Sequence, residues 1–110
     1  MMAARSVNSV PEQYEGFEWD AAKSAATFTG RGLDFAAAAR VFESDHVERE
    51  DLRGEYGERR YVVTGEVEGI VITVVWTPRG RRRRIVSAWP ASNRERRDYR
   101  EAIERAASQS

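Results

Sequence analysis

Cysteine is absent from the 110 residues, which excludes disulfides, thiolate metal sites and cysteine nucleophiles together. Histidine occurs once, as His46, and lysine once, as Lys23, so two of the side chains that commonly carry protons in catalysis are nearly missing. Long hydrophobic runs are missing as well: the longest, Ile70 to Trp76, falls far short of the ~20 residues that span a bilayer. The stretch from Met1 to Tyr14 has no apolar segment of the signal-peptide kind, so the expectation is a protein kept in the cytoplasm, with no membrane partner.

Hydrophobic residues make up 41% of the chain and charged residues 33%, enough for one modest core under a highly charged surface. One domain is expected over residues 16–107, with a disordered or loosely ordered extension over 1–15 and a tail at 108–110. The net charge of zero hides an asymmetry. Residues 1–58 hold 6 basic and 12 acidic side chains, whereas residues 59–110 hold 12 and 6. Between Arg79 and Arg97 stand eight arginines and a single acid, Glu95, a local field suited to phosphate; a solvated charged face is the other reading of the same run.

The alternation Phe17-Glu18-Trp19 predicts a short strand, and Asp20 offers a carboxylate to cap a helix running to Thr29. Gly30 and Gly32 allow the chain to leave that helix, and Asp34 caps a second with one buried face of Phe35, Ala38, Ala39 and Phe42. Ser44 to Gly57 is acidic, polar and interrupted by glycines, and is expected to be a loop. The period then becomes strand-like over Arg59–Thr64, Ile70–Thr77 and Arg82–Ala88, joined by turns at Gly65–Gly69 and Thr77–Gly80. Ser92 with Glu95 forms a capping-box signature for a last helix whose stripe is Tyr99, Ala102, Ile103 and Ala106. The expected class is α+β: a short N-terminal strand, a two-helix hairpin, a three-stranded antiparallel meander and a C-terminal helix.

Six strings occur in one order: FEWDAAK from Phe17, GLDFAAAARVF from Gly32, ERRY from Glu58, VVWT from Val74, RIVSA from Arg84 and RERRDY from Arg94. Together they resemble the BrnT family over about Phe17 to Ala102. The resemblance implies a RelE-like fold and a type II toxin that inhibits translation by cleaving RNA. It also implies as partner a BrnA-like ribbon-helix-helix antitoxin, through which alone the chain would reach operator DNA. Functional arginines of that family lie on the strands matching ERRY and RIVSA, which points to Arg60 and Arg84. Where the family usually has Lys-His-Gly, this chain has Gly30-Arg31-Gly32, and where it continues Ser-Ala-Arg, this chain has Ser87-Ala88-Trp89.

Cleavage of this class would use the substrate's own 2′-hydroxyl, so no metal or cofactor is expected, and guanidiniums would stabilise the charge that gathers on the phosphate oxygens. Arginine is a poor proton acceptor, which leaves Lys23, Glu95 and Tyr99 as candidates for the proton transfer, beside Arg60 and Arg84 as phosphate ligands. Each of the three has a duller role open to it: solvation for Lys23, capping for Glu95, packing for Tyr99. Arg31, Arg59, Arg82 and Arg83 are candidates for binding RNA, as are Trp76 and Trp89 by stacking, although core packing suits Trp76 better. His46 sits among acids, away from the basic run. A non-catalytic module that binds RNA or an antitoxin is the alternative to an endoribonuclease.

Overall fold

The structure is a computed structural model that describes residues 6–7, 14–55 and 57–109. In chain order its elements are β1 (Ser6–Val7), β2 (Phe17–Trp19), α1 (Ala21–Arg31), α2 (Phe35–Ala39), a 3-10 turn (Arg40–Glu43), β3 (His46–Glu50), β4 (Tyr61–Val67), β5 (Ile70–Arg79), β6 (Arg82–Pro90) and α3 (Asn93–Ser108). One mixed sheet has the order β1-β3-β4-β5-β6-β2, with β1 a two-residue pairing at its edge. The three inner junctions are antiparallel, whereas β1 joins β3 and β2 joins β6 in parallel.

The class is α+β, as expected, but the arrangement is larger than a bare meander. The segment expected to be an acidic loop contains β3, which extends the meander by a fourth antiparallel strand. Ser6 and Val7 pair with His46 and Val47, while the rest of the expected N-terminal extension up to residue 13, and Ser110 of the tail, lie outside the described residues. The turn expected over Thr77–Gly80 falls instead at Gly80–Arg81, so Pro78 lies within β5, opposite Arg83. The β4–β5 turn has Glu68 and Gly69 both at positive φ, 49° and 80°, the twist that a two-residue hairpin between right-twisted strands requires.

The helix ends follow their caps. The Asp20 carboxylate accepts the Lys23 N–H at 3.0 Å and that of Asp34 accepts the Ala37 N–H at 2.8 Å. Helix α1 runs two residues beyond Thr29, because Gly32, not Gly30, takes the left-handed conformation that ends it, at φ 72°. The Ser24 hydroxyl accepts the Phe35 N–H at 2.9 Å and ties the two helices together. At α3 both halves of the Ser92–Glu95 capping box form, and its stripe of Tyr99, Ala102, Ile103 and Ala106 is half-buried.

The two faces of the sheet differ. Tyr61, Val63, Ile72, Val74, Trp76, Ile85 and Ala88 meet Phe35, Ala38 and Val41 of α2 and the 3-10 turn in the main core, here termed the packed face. Residues of the opposite parity, such as Val62, Thr64, Val75 and Ser87, point the other way. There α3 covers only part of the sheet, over β3 and β4, where Tyr99 and Glu95 share a depression with Val47, Val62 and Thr64. Beyond α3, over β5 and β6, Thr73, Val75 and Thr77 are still buried on this second face, which is indented by a cleft. No helix among the described residues is long and apolar enough to cross a membrane.

A candidate RNA-binding cleft

The cleft on the second face has a volume of about 510 Å³. Its floor is Val75, Val86 and Ser87, where a bulge at Val75/Trp76 shifts the β5–β6 register. One wall is a face of α1: Lys23, Thr27, Gly30 and Arg31 recur at the helical spacing and therefore stack along one side. The other wall is the connection to β4, with Asp51, Arg53 and Arg60. Trp89 closes the end nearest α3. Four cations thus line a site with one carboxylate, Asp51, which is buried and held by Arg53 through Nε at 2.9 Å and Nη2 at 3.1 Å. The Asp51 N–H also donates to the Arg60 carbonyl at 2.8 Å, so this connection is folded against the start of β4.

Register places Arg60 and Arg84 on one side of the sheet. Tyr61 pairs with Trp76 on the packed face, so the preceding Arg60 points to the cleft side. Arg84 pairs with Thr77, again on the cleft side, and the two arginines flank Thr77 with backbones two strand spacings apart, roughly 10 Å. Each is held by a carboxylate: Arg60 Nε lies 3.2 Å from Glu58 Oε2, and Arg84 Nη1 lies 2.8 Å from Glu18 Oε2, its parallel neighbour in β2. Glu58 also reaches Arg79 at 3.9 Å. All four partners of the two close pairs are about one-third exposed, so the pairs orient the guanidiniums without contributing more than ~1 kcal/mol each. Arg79 and Arg82 face each other on the same side and carry the positive surface past the cleft.

The remaining candidates separate by place. Lys23, Arg31 and Trp89 join Arg60 in the cleft. Arg31 Nη1 donates to the Ala88 carbonyl at 2.8 Å and clips the end of α1 to β6. Trp89 is half-buried and its Nε1–H donates to Glu95 Oε1 at 3.2 Å. Glu95 faces α3's own cap and this indole, not the cleft, and Tyr99 donates to the Asp45 carbonyl at 3.1 Å with its phenol pKa raised by burial. Neither is positioned beside Arg60 or Arg84 to take a proton. Arg59 has the parity of the packed side, where a side-chain hydrogen bond to Tyr61 raises its pKa.

Two candidates for RNA contact belong to the core. Trp76 is fully buried, stacks on Tyr61 at 4.8 Å between centroids, and donates Nε1–H to Glu48 at 2.7 Å. Arg83, only 5% exposed, lies over the rings of Phe42, Trp76 and Tyr14 at 4.3, 5.0 and 5.4 Å. Its parity, two residues before the buried Ile85, is the signal that distinguishes it from Arg82 and Arg84. His46 is buried in β3 with Nδ1–H donating to the Ser44 carbonyl at 2.7 Å, remote from the cleft lining. No group of three or more metal-ligating side chains occurs among the described residues.

Sequence reasoning missed Glu18, Glu58, Asp51 and Arg53. For Glu58 a signal existed, since i and i+2 share a face of extended chain and Glu58 stands two residues before Arg60. Compared with known proteins, residues 19–95 match the family model described as "Ribonuclease toxin, BrnT, of type II toxin-antitoxin system". No curated protein matches the chain.

Proposed function

Because the chain belongs to the BrnT family of ribonuclease toxins of type II toxin-antitoxin systems, we propose that it is a metal-independent, RelE-like endoribonuclease that grips a scissile phosphate between Arg60 and Arg84. The observation that supports this reading is the strand register that sets Arg60 and Arg84 on one side of the sheet, flanking Thr77, with Arg60 lining a cleft walled by further cations. In the proposed reaction the substrate's 2′-hydroxyl attacks the adjacent phosphorus, the bond to the 5′-oxygen breaks, and a cyclic phosphate remains. Negative charge grows on the non-bridging oxygens, where fixed guanidiniums stabilise it without changing protonation state. Lys23 is the proton-transferring candidate that lines the cleft.

Membership of a type II system implies an antitoxin partner. We take that partner to be a BrnA-like ribbon-helix-helix protein that alone contacts operator DNA, and the setting to be the cytoplasm, where RNA cleavage inhibits translation. A second reading, a non-catalytic module that binds RNA or the antitoxin, draws on Trp89, which stands where the resemblance leads one to expect another arginine.

The test is RNA cleavage by the purified chain in EDTA. Arg84→Ala is expected to slow product formation by about 10²–10³-fold, with circular dichroism unchanged. A variant that cuts as fast as the parent overturns the assignment. Salt-sensitive RNA binding by the parent with no product favours the second reading.

A further inference from the structure

We propose that Trp89 is a stacking platform for one unpaired nucleobase, and that this gives the cleft a preference for single-stranded RNA with a purine at one position. The inference rests on the reading of the cleft as the RNA site.

Trp76 and Trp89 show what differs between an indole used for packing and one left available. Trp76 is fully enclosed, whereas Trp89 is only half-buried and forms the end wall of the cleft. The ring is also held in place. Its Nε1–H donates to Glu95 Oε1 at 3.2 Å, and the same oxygen accepts the Ser92 N–H at 2.8 Å within the capping box of α3. The backbone just before it is held too, by Arg31 on the Ala88 carbonyl. A flat apolar surface whose ordering entropy is already spent loses little on binding, which is the condition for effective stacking.

The surroundings suit a nucleotide and not merely an apolar group. A space of about 510 Å³ lies within the usual range of small-molecule sites, with Val75 and Val86 on its floor and Lys23, Arg31 and Arg60 around its rim. An aromatic wall next to cations is the arrangement by which proteins hold unpaired bases and their phosphates together. Trp89 pairs with Thr73 and Arg84 with Thr77, four residues apart along β5, or roughly 13 Å. The stacked base therefore belongs to a neighbour of the nucleotide at the Arg60–Arg84 grip. Because stacking grows with ring overlap, a purine there binds more tightly than a pyrimidine.

The experiment is an abasic scan of a short oligoribonucleotide carrying 2′-O-methyl groups throughout, so that it cannot be cut, with affinity measured by fluorescence anisotropy. With the parent chain, removing the base at one position is expected to weaken binding about tenfold, while removal elsewhere has little effect. With Trp89→Ala that position-specific loss disappears, and with Trp89→Phe, which keeps an aromatic face and guards against a folding defect, it persists. Arg60→Ala weakens every oligonucleotide alike. A flat scan in the parent, or an unchanged profile in Trp89→Ala, overturns the stacking proposal but leaves the cleft as the RNA site if Arg60→Ala still weakens binding. An Arg60→Ala variant that binds as the parent does removes the cleft reading itself.

Discussion

Arg83 and Arg84 are consecutive residues of β6, yet one lies beneath Phe42, Trp76 and Tyr14 while the other reaches across an exposed sheet surface to Glu18. The same contrast holds for the faces they serve. The packed face places polar groups where water cannot reach, with Glu48 and Arg83 both at least 95% buried beside the Trp76 indole. On the cleft face Arg53, Arg60 and Arg84 are each paired with a carboxylate while remaining about one-third or more exposed. Charge is enclosed among aromatic rings on one side and reaches solvent on the other, and the alternation of the strand assigns it.

The largest expected difference comes from truncating the two neighbours. Arg83→Ala removes a desolvated cation–π cluster and leaves a void, and should cost about 2–4 kcal/mol of unfolding free energy in urea titrations. Arg84→Ala should cost no more than ~1 kcal/mol in the same measurement. Equal losses would erase the distinction between the faces. A smaller effect is expected at Gly65, where an added Cβ would sit 2.7 Å from Val41 Cγ2 and 3.1 Å from His46 Cβ. Gly65→Ala should therefore destabilise by about 1–3 kcal/mol through overpacking against the 3-10 turn. If its melting temperature matched the parent's, the packed face would be looser than the geometry shows.

The smallest effect concerns Tyr99 on the covered part of the cleft face. Burial raises its pKa above the ordinary value near 10 in the folded chain. The folded state thus holds this proton more firmly than the unfolded state, so the associated stability is intact below pH ~10 and is lost as pH rises through the folded pKa. Tyr99→Phe should flatten that alkaline decline in a series of melts. An unchanged slope would mean that the phenol is as well solvated as in the unfolded chain.

Much of this arrangement was legible in the residues. Asp20, Asp34 and the Ser92–Glu95 box announced their helices because capping is local chemistry, and the apolar run of β5 announced a strand covered on both sides. Strand β3 was not legible because its inward positions are His46 and Glu48, which any hydrophobic periodicity reads as solvent-facing. What makes them tolerable indoors, the Trp76 N–H for Glu48 and the Ser44 carbonyl for His46, is supplied from elsewhere in the chain. For the site, the arginine strings pointed to Arg60 and Arg84. The counter-ion of Arg84, Glu18, escaped notice because the parallel pairing of β2 with β6 leaves no local mark in either strand.

That pairing joins Glu18 to Arg84 across 66 positions of sequence. By contrast, β4, β5 and β6 are linked by tight two-residue turns whose contacts are short-range, so loop-closure entropy favours their forming early and β2 docking late. During synthesis the first of these strands leaves the ribosome while its mate has not been made. A partly translated chain therefore lacks the Glu18–Arg84 pair, and the proposed phosphate site stays incomplete until β6 has emerged from the ribosome.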